Sequence, residues 1–488
     1  MKRLNNILPN DTTTEIVGQT DINISGLALD SRNVERGNIF FAIKGTLVDG
    51  HQFIEKAIQK RAIAIVCEKI PENTLKDNVT FIKVKDSAEA MGKIAAKFYG
   101  NPSSKLKLVG ITGTNGKTTT ATLLYRLINT LGGKAGLIST IQNQIGETAI
   151  ASTHTTPNVI EINSLLSEMV NQGCTHCFME VSSHATDQKR VAGLVFSGAI
   201  FTNITHDHLD YHKTFKEYIE AKKLLFDNLS QNAFALTNVD DRNGRVMVQN
   251  TKAKISTYSI KSMASYRCKI VEQHAHGMLL NIDNIELWSR LIGNFNAYNL
   301  LAVYATALLL NFDQQEILTA ISGMGPVNGR FENFVAPNGV IAVVDYAHTP
   351  DALENVLSTL NSILNKGNRL ITVVGAGGNR DKTKRPIMAQ VALQGSHMVI
   401  LTADNPRHEN PAEIIEDMKK GVEPSQVGQV LTITDRREAI RTACLLASPN
   451  DVVLIAGKGH ETYQEVKGVR HHFDDKEEVS EIFKSLQA

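Results

Sequence analysis

The sequence predicts an α/β protein of three domains. These are a small N-terminal α/β unit over 1–103, a central P-loop ATPase-like parallel sheet over 104–333 and a C-terminal Rossmann-like doubly wound sheet over 334–488. Three observations lead there. A chain of 488 residues exceeds what one hydrophobic core organises. Short apolar runs of strand length alternate with helical stripes, which is the pattern of βαβ units. Finally, Gly110-Ile-Thr-Gly113-Thr-Asn-Gly116-Lys117-Thr118 links one such strand to one such helix.

Hydrophobic content of 42% and charged content of 21% describe an ordinary globular chain with ample core. A net charge of +1 makes no electrostatic case for nucleic acid or a membrane surface. The five cysteines are odd in number and scattered, so no disulfide framework is implied and a reducing compartment fits. Cys174 and Cys177 form a lone C-x-x-C, read as buried strand residues rather than zinc ligands. Polar residues interrupt 1–14, unlike a signal peptide, and the most apolar run, 300–310, is short of the ~20 residues that span a bilayer. A cytoplasmic protein is expected, with neither nucleic acid nor membrane as partner.

In the first unit, Leu27-Ala-Leu ends a strand at Asp30-Ser31-Arg32, 39–43 is a second strand, and Asp49-Gly50-His51 is a polar turn. A helix over 53–61 precedes a buried strand over 62–66, and Asn101-Pro102-Ser103-Ser104 marks the boundary. Polar loop tips at strand ends suit a ligand and solvent equally.

In the second unit, Lys105-Leu-Lys-Leu-Val109 reads as a strand, and Leu123, Leu124, Leu127, Ile128 and Leu131 share a helical face stopped by Gly132-Gly133. Strand, glycine loop, Lys-Thr and helix form a polyphosphate cradle: backbone N–H groups turn inward and the helix dipole adds positive potential. Lys117 would reach the β/γ oxygens and the Thr118 hydroxyl would ligate Mg²⁺. The glycine spacing departs from the standard P-loop, since Ile111 stands five before Gly116. An ATP or GTP site is expected. Thr153-His-Thr-Thr-Pro157 is a polar loop, and a strand over 175–179 delivers Glu180 at its C-terminal end. A carboxylate there, across from Thr118, suits a direct or outer-sphere Mg²⁺ ligand. A strand over 198–201 runs into His206-Asp207-His208-Leu-Asp210-Tyr-His212. That cluster lacks the cysteine or H-E-x-x-H partners of a zinc site, so one or two groups facing the Mg²⁺ is the sharper reading. On the helix over 214–229, Lys222 and Lys223 read as a solvated face by pattern alone. Asn296 and Asn299 lie three apart on one face of the long helix to residue 310, placed to hold a purine edge or to cap the helix.

In the third unit, a strand over 340–344 ends in Asp345-Tyr-Ala-His348. The stripe Leu353, Val356, Leu357, Leu360, Leu364 makes a helix closed by Gly367. A strand over 370–374 leads to Gly375-Ala-Gly377-Gly378-Asn379-Arg380, which is not a G-x-G-x-x-G fingerprint. Strands over 398–402 and 452–456 end in Asp404-Asn-Pro-Arg407 and Gly457-Lys-Gly-His-Glu461, while Asn410 caps a helix begun by Pro411 and stopped at Gly421. So many charged groups at strand C-termini suit a zwitterionic or carboxylate ligand.

Taken together these motifs resemble those of the Mur ligases, ATP-dependent amide-forming enzymes of peptidoglycan precursor synthesis. The resemblance runs the whole length, through Gly113-Thr-Asn-Gly-Lys-Thr118, Met179-Glu-Val-Ser-Ser-His184, Asp207-His-Leu-Asp-Tyr-His212, Asn296-x-x-Asn299, Gly329-Arg330, Asp345-Tyr-Ala-His348 and Gly457-Lys-Gly-His-Glu461. Asp404-Asn-Pro-Arg407 matches the members that add meso-2,6-diaminopimelate, with Arg407 gripping its distal carboxylate. A planar guanidinium binds carboxylate through two charge-assisted bonds, and lysine offers no carboxylate there.

The resemblance implies UDP-N-acetylmuramoyl-L-alanyl-D-glutamate and meso-2,6-diaminopimelate as substrates, ATP and Mg²⁺ as cofactors, and a part in cell wall biogenesis, cell shape and division. Leu29, Ser31 and His51 would lie in a uridine-nucleotide domain, and Thr155, Thr156, Ser182, Gln188 and Arg190 would hold the muramoyl dipeptide. Gly113, Thr114, Asn115, Gly116, Lys117, Thr118 and Thr119 would grip ATP together with Asn296, Asn299, Arg330 and Asp345. Thr118, Glu180 and His208 match Mg²⁺ positions, and Lys222 matches a lysine whose CO₂-derived carbamate binds a second Mg²⁺. Arg380, Asp404, Asn405, Pro406, Arg407, Gly457 and Glu461 match the diaminopimelate pocket.

The implied chemistry has two steps. The D-glutamyl γ-carboxylate attacks the ATP γ-phosphorus, giving an acyl phosphate and ADP. The amine then attacks the acyl carbon and phosphate leaves. Lys117, Mg²⁺ and His208 would neutralise charge, His348 is the candidate base, and domain closure would exclude water. A monomer is expected. The alternatives are a lysine-adding or folylpolyglutamate-type ligase, and a P-loop nucleotide switch that ligates nothing.

Overall fold

Three open sheets, each flanked by helices on both faces, follow one another along the chain. The computed structural model describes residues 1–45, 48–71, 78–152, 154–205, 207, 209–274 and 276–485. The first sheet has five strands in the order Thr13–Val17, Thr80–Val84, Ala64–Cys67, Asn38–Phe41, Gly26–Ala28, with only its first pair antiparallel. Successive strand residues point to opposite faces. Ile39 and Phe41 therefore join one core with Leu4 and Ile94, while Phe40 joins another with Ile54 and Phe81.

The central sheet has eleven strands, with Lys107–Thr112 between His176–Glu180 and Gly198–Phe201, all parallel. Its ends turn antiparallel through the hairpin Gln142–Ile145/Thr148–Ala151 and the meander Tyr266–His274, Gly277–Ile282, Ile285–Ser289. Five strands between 234 and 289 lie outside the elements expected from the sequence. Helices Lys117–Thr130 and Asn294–Leu309 cover one face, and Val159–Asn171 and Phe215–Asp227 the other. The apolar run at 300–310 is core: Leu300 to Ala307 are buried on every side, as a helix apolar all round requires. Among the described residues no helix is long and apolar enough to cross a membrane.

The last sheet has six strands in the order Glu332–Val335, Ile341–Asp345, Val452–Ala456, Leu370–Ala376, Met398–Ala403, Val430–Thr432, parallel except for the first pair. Leu353, Leu357 and Met388 pack on one face, Ile440 and Val479 on the other. The helix Pro350–Ile363 starts as expected, the Thr349 hydroxyl accepting from the Ala352 N–H. It does not reach Gly367. Leu364 is already extended, and Gly367, at φ +93°, turns the chain within the following loop. The helix Pro411–Lys419 is capped by Asn410 as the sequence predicts. A buried pair, Arg436 with Asp475, ties Asp475–Ser485 to Arg436–Leu446.

Close contacts join the sheets. A Cβ on Gly92 would sit 2.4 Å from the Ala192 carbonyl oxygen, and Lys189 pairs with Asp86, so the first sheet's helix meets the central unit backbone to backbone. Asn115 Nδ2 donates to Asp351 Oδ2 at 2.7 Å and Lys384 pairs with Asp207, linking the central and last sheets. All five cysteines are buried and free, Cys174 and Cys177 included, and burial pushes the Cys67 thiol up to about 11 and Cys268 and Cys444 to about 12.

Candidate active site

Strand C-termini of the central and last sheets border one cleft of about 470 Å³, as open α/β sheets place their ligands. On the central side, Gly113 and Gly116 have φ of +152° and +85°, and a Cβ on either would strike Thr202 Oγ1 or Asn299 Oδ1. The loop is braced from the next strand: Asn203 accepts from the N–H groups of Thr114 and Asn115, and Thr202 Oγ1 donates to the Asn115 carbonyl. Lys117 Nζ donates to the carbonyls of Gly113 and Thr114 at 2.9 and 2.8 Å. Thr118, Thr119 and Arg330 also line the loop's side of the cleft or its rim, Thr118 Oγ1 accepting from Arg330 Nη2 at 3.1 Å.

Glu180 ends its strand fully buried. Its carboxylate accepts from the Thr118 hydroxyl at 2.9 Å, the Thr140 N–H at 2.8 Å and the Thr140 hydroxyl at 3.2 Å. Among the described residues no cation lies within ion-pairing distance of it. Thr140, which sequence reasoning missed, has no motif to announce it. Lys222 and Lys223 are not a solvated face: they are 1% and 9% exposed, because their helix packs against the cradle. Lys223 pairs with Asp227, whereas Lys222 Nζ donates to the Gly113 carbonyl at 2.8 Å and sits 4.7 Å over the Tyr218 ring. Burial pushes the Lys222 amine well below the ordinary lysine range, the nearby Lys117 charge pushes the same way, and Asp207 opposes them. His206 and His208 lie outside the described residues. Asp207 lines the cleft, and His212 Nε2 contacts Ser183 Oγ at 2.9 Å.

Asn296 and Asn299 face one another, Asn299 Nδ2 to Asn296 Oδ1 at 3.2 Å, with Asn299 Oδ1 against Gly116. Neither caps its helix, which begins at Asn294 after Gly293. The Arg330 guanidinium stacks 4.4 Å from the Tyr346 ring, and its buried Nε meets no partner among the described residues. Asp345 accepts from the Phe331 N–H at 2.7 Å, and burial pushes its carboxyl up against the pull of Arg330. His348 faces the open cleft. Its Nδ1 lies 2.9 Å from the Tyr346 carbonyl, which only accepts, so Nδ1 carries the proton and Nε2 keeps its lone pair. The surrounding protein holds this ring below the usual histidine pKa.

The last sheet contributes Arg380, Asp404, Asn405, Arg407, Gly457 and Glu461 to the same cleft, while Pro406 stands behind, its carbonyl against Gly378. Arg407 Nη1 donates to the Gly378 carbonyl at 2.7 Å. An unforeseen hairpin, Tyr463–Val466 with Val469–His472, grips this segment: Arg407 N–H donates to Glu465 O at 2.9 Å and Gln464 Nε2 to Asp404 O at 2.8 Å. Lys384, also unforeseen, reaches Asp207 from the opposite wall.

Thr155, Thr156, Ser182 and Arg190 line the cleft's third side, with Arg190 Nη1 on the Thr156 carbonyl at 2.9 Å. Gln188 stands outside the lining and orients Arg190 through its Oε1. Leu29, Ser31 and His51 lie on the first sheet's loops and do not line this cleft. His51 is held between Asp49 Oδ1 at 2.7 Å and the Glu68 N–H at 3.0 Å.

Three stretches match family models: 23–99 the Mur ligase family, catalytic domain; 111–307 the Mur ligase middle domain; and 329–459 the Mur ligase, glutamate ligase domain. A protein of Phocaeicola vulgatus named UDP-N-acetylmuramoyl-L-alanyl-D-glutamate--2,6-diaminopimelate ligase is 56% identical, over 99% of both chains. One of the same name from Cytophaga hutchinsonii is 56% identical over 96% of this chain and 97% of its own. A solved structure with that ligase name superposes with a TM-score of 0.70 at 34% identity, covering 97% of this chain and 98% of the other.

Proposed function

The chain belongs to the Mur ligase family, and from that premise we propose how its cleft works. It is an ATP-dependent ligase that joins meso-2,6-diaminopimelate to UDP-N-acetylmuramoyl-L-alanyl-D-glutamate in peptidoglycan precursor synthesis. The observation that carries the assignment of roles is that the phosphate cradle of Gly116, Lys117 and Thr118 shares one cleft with Arg380, Asp404, Arg407 and Glu461. The three units 1–103, 104–333 and 334–488 then bring the uridine nucleotide, ATP and the amino acid. Substrates of this kind put the reaction in the cytoplasm, and a monomer belongs to the same proposed reading.

Lys117 exchanges its two carbonyl acceptors for phosphate oxygens as ATP enters, while the loop N–H groups and Arg330 neutralise the rest of its charge. The D-glutamyl γ-carboxylate, aligned by Arg190 and the 155–156 loop, attacks the γ-phosphorus and ADP leaves. Arg407 and Arg380 take the distal carboxylate of diaminopimelate, and a lysine there leaves Arg407 without a partner. The reacting amine gives its proton to Nε2 of the neutral His348, attacks the acyl carbon and displaces phosphate.

Glu180 and Thr118 fit a Mg²⁺ ion. A fully buried carboxylate met by hydroxyl and amide donors, with no described cation paired to it, is an incomplete charge balance. When bound, the metal offsets phosphate charge. Lys222 would carry a carbamate: burial and the neighbouring Lys117 charge favour its neutral amine, whose nitrogen would bond the carbon of CO₂ and release a proton, leaving an anion on the same cleft that Glu180 lines. His208, the other expected ligand, lies outside the described residues.

The test is mass spectrometry of the product formed from ATP, the UDP-dipeptide and meso-diaminopimelate, with L-lysine as competitor. A diaminopimelate adduct with equimolar ADP and phosphate is expected. Lysine taken at an equal rate would refute the pocket assignment, and ATP bound without phosphate release would favour a switch.

A further inference from the structure

Lys458 is fully buried beneath the amino-acid pocket. Lysine enters an interior only when its charge is satisfied, and here three oxygens, one from Asn405 and two from the 461–463 stretch, do so. Nζ donates to Glu461 Oε2 at 3.2 Å, Asn405 Oδ1 at 3.3 Å and the Tyr463 carbonyl at 2.5 Å. The ammonium's three protons are thereby used.

The consequence reaches the pocket wall. Asn405 Oδ1 accepts from Lys458 and from the Glu465 N–H at 2.9 Å, so an oxygen must stand there and the amide nitrogen turns outward. That nitrogen donates to Glu461 Oε2 at 2.7 Å. Both tethers hold the same carboxylate oxygen. The other, Oε1, takes no hydrogen bond from the described residues, and Glu461 lines the cleft.

We propose that Lys458 is a positioning residue for amino-acid selection. By saturating Oε2 and fixing the Asn405 amide, it presents Glu461 Oε1 to an ammonium group of the incoming diamino dicarboxylate. This rests on the reading of the pocket given above. Without Lys458 the carboxylate keeps one tether and pivots, and the ammonium meets an anion that must first be ordered.

The experiment compares K458M, K458Q, E461Q and the double variant K458M/E461Q in the full chain, with thermal melts as a folding control. E461Q is expected to raise KM for diaminopimelate about tenfold or more, as loss of a charge-assisted bond does. K458M should raise it comparably, with KM for ATP and for the UDP-dipeptide within about twofold, K458Q falling between. The double variant should be no worse than E461Q alone, since both changes act on one carboxylate. The proposal is overturned if E461Q behaves so but K458M leaves KM for diaminopimelate unchanged, raises all three constants together, or multiplies with E461Q. It also falls if neither Lys458 variant folds, because the lysine then belongs to the frame. If E461Q itself has no effect, the pocket reading fails first, and that result is read without any Lys458 variant.

Discussion

Two cations in the cleft answer opposite demands. In the proposed reaction Lys222 would shed its charge to react with CO₂, which burial beside Lys117 favours, whereas Arg407 would keep its charge to hold a carboxylate. K222A should lower turnover by about a hundredfold or more, and added formate or acetate should restore part of it, as followed by phosphate release. R407A should cut kcat/KM for diaminopimelate about a hundredfold while calorimetric ADP binding stays unchanged. A third residue-scale effect concerns stability. Arg385, 1% exposed, holds both oxygens of Glu409 and pulls its carboxyl down to about 2. A depressed carboxylate stabilises the fold fully above its ordinary pKa, and the contribution is lost as pH falls toward about 2. E409Q should therefore cost about 1–2 kcal/mol at neutral pH, the gap to the native chain closing between about pH 4.5 and 2 in denaturant melts. That Thr118, Glu180 and Arg407 stand together on one cleft was legible because each falls in a motif at a strand end or glycine loop. The burial of Lys222 was not, since Lys-Lys on an amphipathic helix reads as surface until the cradle packs over it.

At the scale of elements, the hairpin Tyr463–Val466/Val469–His472 holds the 404–407 segment of the proposed amino-acid pocket. Its two-residue turn, Lys467 and Gly468 at φ +49° and +79°, is of the primed kind that matches strand twist. Its first strand holds Arg407 at φ +51°, a left-handed conformation that costs a non-glycine residue about 1 kcal/mol or more and persists only under such contacts. On the other side Gly378 leaves no room, as a Cβ there would lie 2.0 Å from the Pro406 carbonyl oxygen. G378A should shift the 404–407 segment and raise KM for diaminopimelate about tenfold, with KM for ATP unchanged in steady-state assays. Several parallel strands were readable from their short apolar runs, Gly198–Phe201 and Val452–Ala456 with their bounds as observed. The hairpin was not: its strands are half-buried or exposed, short of apolar residues, and its first strand is tied to Asn405 and Arg407, some sixty residues away.

For the whole molecule, the proposed reaction would depend on the joints between sheets to bring three substrates together. Gly92 and Gly193 pass with backbones in contact, a Cβ on Gly193 lying 2.7 Å from the Gly92 carbonyl oxygen. G92A should pry the first sheet from the central one, and because Arg190 sits two residues from Ala192, KM for the UDP-dipeptide should rise about fivefold or more while ATP binding is spared. Such joints escape a sequence reading, since their partners stand from about a hundred to over two hundred positions apart with no local pattern.

The five sealed thiols make the native chain a blank background for labelling. Ellman's reagent should titrate none of them until denaturant is added, and then all five. A cysteine placed at exposed Met263 and another at exposed Val427 would then be the sole reactive sites, one on the central unit and one on the last. A fluorophore pair there would follow the separation of the two units through a catalytic cycle in an otherwise unaltered enzyme.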